Sequence, residues 1–142
     1  MANKKADEVP EVDVRGQISL PLDGQEYVLR PSMEAIMAIE ARLRPLLPLT
    51  QEAVAGSLTL HDLGIITAEF MRAFGKANPN DPLKTTYLHS KPETLARLIY
   101  EAGQPKVCIR VATVLMGALS GGYEASGEIK AATTTDETQG AE

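Results

Sequence analysis

The sequence predicts an α+β fold, mainly helical, in which an N-terminal β-hairpin packs on a bundle of about four helices. Apolar residues alternate with polar residues over positions 12–22, which is the period of a strand with one buried face. Beyond residue 32 the apolar residues recur at helical spacing, in segments separated by Pro, Gly and Asn. These patterns place the strands first and the helices after them.

The hairpin is predicted from its turn and its return strand. Asp23-Gly24 is a pair that tolerates the positive φ angles of a tight primed turn. Tyr27 and Leu29 continue the apolar face of the first strand. Ser32 is then a suitable N-cap for a helix that begins at Met33. The hairpin therefore leads directly into the first helix.

Four helices are predicted after the hairpin, and capping residues mark several of their ends. Thr59 with Asp62 has the spacing of a capping box, and Ser90 is the predicted cap of the third helix. Glu40 lies in the apolar arc of the first helix, where we expect it to reach solvent or to pair with Arg44. The predicted helices span residues 33–44, 60–77, 90–103 and 106–120. Residues 45–58 are predicted to be irregular, with room for one turn at 51–55, and residues 78–89 are predicted to be a loop.

The fourth predicted helix is apolar over a much wider arc than a helix with one buried face requires. Its polar residues share one narrow side, so the apolar arc covers about 220° instead of about 100°. Either this helix lies in the middle of the bundle, or the flanks of its arc bind a partner. The candidate partner-binding residues are Val107 and Val114 on one flank, Ile109 and Met116 on the other, and Ile65, which lies among polar residues of the second helix.

One folded domain is predicted over residues 12–122, between disordered tails at 1–11 and 123–142. The last twenty residues carry five carboxylates against Lys130 alone and few large aliphatic side chains, a composition typical of disorder. The N-terminal tail has no apolar stretch of the kind that a signal peptide contains. No apolar run reaches the ~18 residues that a transmembrane helix needs. We therefore expect a soluble intracellular protein that does not bind membranes.

The sequence predicts no catalytic, metal or cofactor site. His61 and His89 are far apart, and there is no metal-ligand spacing and no glycine-rich phosphate loop. Cys108 lies between aliphatic residues of the fourth helix and is predicted to be a small buried side chain. A net charge of −5 argues against a nucleic-acid partner, whose phosphates require a basic surface. We expect a protein without enzymatic activity.

An ordered set of short segments resembles the gene transfer agent and phage tail protein family of alphaproteobacteria. The resemblance covers residues 16–122, and the loop at 79–90 departs from the family. The segments are Leu22-Asp23-Gly24, Tyr27 to Ser32, Ala35-Ile36, Ile39-Glu40, Leu60, Asp62-Leu63, Leu98 to Gly103 and Leu119 to Gly122.

The resemblance implies a non-enzymatic protein of tail assembly, encoded by a prophage or a gene transfer agent and made in the cytoplasm of the bacterial host. The family is described both as tail assembly chaperone and as tail tube protein. A chaperone of this type coats the apolar, helical tape measure protein until tube subunits replace it. Its implied partners are the tape measure protein and other tail proteins, with weak self-association. The alternative is a structural tube subunit that stays in the particle.

A small DNA-binding regulator is an alternative from a different class, because a helical bundle can contain a helix-turn-helix. Such a protein needs a basic recognition helix. None of the four predicted helices carries one.

Overall fold

The computed structural model describes residues 17–130 as a two-stranded antiparallel hairpin followed by six helices, which confirms the predicted fold class. The predicted N-terminal tail at 1–11 and strand residues 12–16 lie outside the described residues, as do residues 131–142 of the predicted acidic tail. The elements are β1 (Ile18–Leu22), β2 (Gln25–Leu29), α1 (Met33–Arg42), α2 (Leu46–Val54), α3 (Leu60–Ala77), α4 (Lys84–His89), α5 (Pro92–Ala102) and α6 (Gln104–Leu119).

The hairpin has the turn and the buried face that its sequence predicts. Asp23 and Gly24 have φ angles of 52° and 77°, which form the primed turn. Ile18 pairs with Leu29, and both side chains are buried together with the other inward-facing residues of β1. β1 therefore contributes alternate side chains to the core, whereas β2 contributes Leu29, with Tyr27 and Val28 partly buried against it.

Helix α3 lies at the centre of the fold and packs against α1, α4, α5, α6 and β2. It begins at a capping box in which Thr59 and Asp62 each bond the other's backbone N–H, as predicted. At Gly64 the contact with α5 is very close, since a Cβ there would lie 2.5 Å from the carbonyl oxygen of Pro92. The absence of a side chain at Gly64 allows the two helices to approach.

Helix α2 lies within residues 45–58, which are predicted to be irregular. Glu40 is exposed, as predicted, and does not pair with Arg44; its carboxylate accepts a hydrogen bond of 2.9 Å from the backbone N–H of Leu46 and so caps α2. Pro48 falls in the first turn of α2, where the missing N–H would have no partner within the helix. The prolines at 45 and 48 therefore start a helix, and α1 ends earlier than predicted, at Arg42.

Helix α4 forms within the predicted loop at 78–89 because Tyr87 is buried against distant parts of the chain. Its ring lies 4.6 Å from that of Phe74 and edge-on to that of Tyr27, at 5.7 Å. Its hydroxyl accepts a hydrogen bond of 2.9 Å from the backbone N–H of Val28. Ser90 bonds a carbonyl of α4 and ends that helix, so its predicted role as the cap of α5 is wrong.

The segment 123–130, predicted to belong to a disordered tail, packs against the junction of β2 and α1. The backbone N–H of Met33 donates a 2.8 Å hydrogen bond to the carbonyl of Ala125. The buried Arg30 donates a hydrogen bond of the same length to the carbonyl of Ser126. The segment thus supplies acceptors for a helix terminus and for a buried cation. The boundary predicted at residue 122 is corrected to at least Lys130.

Candidate interaction surface

The structure separates the five predicted partner-binding residues into two groups. Ile65, Val107 and Val114 are 3%, 1% and 0% exposed, so their predicted role in direct partner contact is corrected: they are core residues. Ile109 and Met116 are 51% and 45% exposed. Only this second flank of α6 is available to a partner.

The burial of the first group follows from how many elements surround α3 and α6. Helix α6 packs against α2, α3, α5 and β1, and its buried Arg110 donates a 2.7 Å hydrogen bond to the carbonyl of Ser19 in β1. The narrow polar side of α6 is therefore covered at Arg110, whereas Lys106 on the same side is exposed. Ile65 is buried because α3 is packed on several sides, so that even the neighbouring Asp62 and Glu69 are buried.

Ile109 lines a groove between the C-terminal end of α2 and the N-terminal end of α6. The groove has a volume of about 400 Å³, and Val54 on the α2 side is 60% exposed. The sequence pattern does not indicate Val54 as a surface residue of a helix, because Val54 lies in the segment predicted to be irregular. We call this feature the α2–α6 groove. It is lined by Ala53, Val54, Gly56, Gln104, Pro105, Cys108 and Ile109.

Hydrogen bonds hold the two walls of the α2–α6 groove together. The side-chain amide of Gln104 donates to the carbonyl of Leu58 at 2.7 Å, and the thiol of Cys108 contacts the carbonyl oxygen of Ala53 at 3.4 Å. Burial raises the pKa of the Cys108 thiol above its ordinary value. The thiol is therefore neutral at pH 7 and serves as a small packing group, as predicted.

The exposed apolar surface continues along both helices from the groove. Met116 follows Ile109 by seven residues, and Leu47 precedes Val54 by seven residues. A separation of seven places two side chains on the same face of a helix, within about 20°. Leu47 is 52% exposed. Two neighbouring helices therefore each present two large aliphatic or thioether side chains to solvent.

An ion-pair cluster fixes α2 to the start of α3 and so positions one wall of the groove. The Arg44 guanidinium bonds the carboxylates of both Asp62 and Glu52, with a distance of 2.8 Å to Asp62 Oδ2. Burial raises the pKa of Asp62, but the hydrogen bonds from Arg44 and from the Thr59 backbone outweigh it, so the pKa is lower than usual. Asp62 therefore remains ionised at neutral pH and holds Arg44.

Groups of side chains suited to a metal ion are absent from residues 17–130. In the same range, no helix has both the length and the apolar character needed to cross a bilayer. Comparisons with protein-family models, with curated proteins and with solved structures found no match to the chain.

Proposed function

We propose that this protein is a non-enzymatic assembly protein of a phage tail or gene transfer agent, acting in the bacterial cytoplasm as a chaperone for the tape measure protein. The observation that supports the proposal is the α2–α6 groove, in which Val54 and Ile109 expose aliphatic surface between two helices. An apolar helix of a partner fits such a groove by inserting its own side chains between the walls. The tail-protein resemblance supplies the identity of that partner.

The size of the surface suits a contact that must later be released. Val54, Ile109 and Met116 would each contribute about 1.5–3 kcal/mol if a partner covered them fully. They are already half covered, and association also costs translational and rotational entropy. A single copy would therefore bind weakly, and many copies along one long partner would be displaced readily by tube subunits.

The experiment is co-purification of the full chain with the tape measure protein of the same gene cluster. Val54→Asp and Ile109→Asp should each abolish co-purification while the far-ultraviolet circular dichroism and the melting temperature stay near wild type, since both side chains are exposed. Tyr100→Asp is the matched control, because Tyr100 is 72% exposed on α5 and does not line the groove. It should still co-purify.

A second set of variants separates a surface effect from unfolding. Val114→Asp places a charge at a position with 0% exposure and should unfold the domain, whereas Met116→Asp should fold and bind less. If the groove variants fold and bind like wild type, the groove is not the binding site. If the wild-type protein does not bind the tape measure protein and is abundant in purified particles, the tube-subunit alternative replaces the chaperone proposal.

A further inference from the structure

A second concave feature, on a different part of the molecule, collects positive charge on a chain whose net charge is −5. It is an open cleft of about 700 Å³ between the end of α1, the second half of α3 and the junction of α4 with α5. It shares no lining residue with the α2–α6 groove. We call it the basic cleft. Its lining residues are Arg42, Arg72, Lys76, Leu88, His89, Ser90, Lys91 and Pro92.

One buried carboxylate holds the two arginines of the basic cleft in place. Glu69, with 8% of its side chain exposed, accepts a 3.3 Å hydrogen bond from Arg42 and a 2.6 Å hydrogen bond from Arg72. The side chains of Arg42 and Arg72 are 45% and 31% exposed, and each guanidinium has five N–H donors. Glu69 therefore orients both arginines and leaves them with donors for a further acceptor.

The remaining cations make the basic cleft positive overall. Lys76 pairs with Glu34 at the surface, where the pair is weak. Lys91 is exposed, and no salt bridge to it forms within the described part of the chain. Four cations thus face two carboxylates, which leaves two positive charges in excess. Lys91 is the N-cap residue of α5 and Pro92 is its first residue; Glu93 in the first turn already places one negative charge at that N-terminus, but it does not line the basic cleft.

We propose that the basic cleft binds the carboxylates of an acidic peptide segment of a partner protein. Arginines in a fixed orientation match planar carboxylates, and an excess of two charges suits a segment with two or three Asp or Glu residues. A nucleic acid is disfavoured, because its continuous phosphate backbone would extend beyond the two excess charges of the cleft onto a protein whose net charge is −5. The ligand differs in chemistry from the apolar helix proposed for the groove, so neither proposal depends on the other.

The experiment is a fluorescence-anisotropy titration of labelled hexaglutamate with the full chain at low salt. Binding should weaken by about threefold or more in Lys91→Glu, and it should weaken steeply as salt screens the charges. Arg97→Glu is the matched control: it makes the same charge change on α5, at an arginine that is 62% exposed and does not line the basic cleft. It should change the affinity by less than about twofold.

Three outcomes would overturn the proposal. The first is that wild-type protein does not bind hexaglutamate. The second is that Lys91→Glu and Arg97→Glu weaken binding equally, which would mean a response to net charge alone. The third is that a single-stranded oligonucleotide binds more tightly than hexaglutamate and depends on the same lysine. Because Lys91 is exposed, its substitution should not unfold the chain, and Arg72→Gln provides a second variant within the cleft.

Discussion

Substitution of Gly64 by Ala tests the close contact between α3 and α5. In a helix interior, Ala is more favourable than Gly by about 1 kcal/mol, so local propensity alone predicts that the variant is more stable. In the structure, however, the new Cβ would lie 2.5 Å from the backbone oxygen of Pro92 and 3.3 Å from the Cβ of Ala96. A backbone oxygen cannot rotate away, so α5 must shift as a unit.

The two effects have opposite signs, and their sizes indicate which prevails. A misfit in a well-packed core costs about 1–3 kcal/mol, which the gain in propensity offsets in part. The 2.5 Å approach to a backbone oxygen places the cost at the upper end of that range. We therefore expect Gly64→Ala to lower the free energy of unfolding by about 1–2 kcal/mol, and the melting temperature by several degrees. Urea unfolding followed by circular dichroism measures the difference. His61→Ala, at an exposed position of the same helix, should change stability by less than about 0.5 kcal/mol. A Gly64→Ala variant more stable than wild type would refute the close contact.

Three further predictions concern contacts between distant parts of the chain. A chain ending at Gly122 should be about 1–3 kcal/mol less stable than one ending at Lys130, because the Met33 N–H loses its acceptor and the buried Arg30 loses the Ser126 carbonyl; equal melting temperatures would contradict this. Tyr87→Phe should lower the free energy of unfolding by about 1–3 kcal/mol, since the Val28 N–H loses its partner. Burial raises the pKa of Tyr87 to about 12, so the tyrosine ionises more readily in the unfolded chain than in the folded one. The free energy of unfolding of the wild type should therefore fall between pH 10 and 12. Urea titrations of Tyr87→Phe should lack this fall. The pKa of Asp62 lies below its ordinary value of 3.8, so its contribution is present above that pH and is lost on acidification; Asp62→Asn should have a flatter stability profile in acid.

The sequence alone determined those features that depend on neighbouring residues. The alternation in β1, the Asp23-Gly24 turn, the Thr59 and Asp62 capping box and the span of α3 were all predicted correctly. Each is decided by local backbone sterics or by a hydrogen bond over three residues, so the local pattern is sufficient. The fold class follows from these elements.

Only the tertiary structure decided which apolar residues of the helices remain exposed. A helical pattern gives the width of an apolar arc, but the neighbouring elements determine which part of that arc they cover. For this reason Val114 is in the core while Met116, on the same helix, is in solvent. The α2–α6 groove and the basic cleft are each lined by residues from separate helices, so no spacing of residues along the sequence predicts either feature.

The same reasoning explains the elements that the sequence did not reveal. Helix α4 is short, and its burial depends on the contact of Tyr87 with β2. Tyr87 bonds Val28 of that strand, which lies fifty-nine residues earlier in the chain. The segment 123–130 lacks the composition of a buried element, yet the carbonyl of Ser126 accepts a hydrogen bond from the buried Arg30, ninety-six residues earlier in the chain. Short polar segments become ordered when a distant donor needs an acceptor, and the position of that donor exists only in the folded chain.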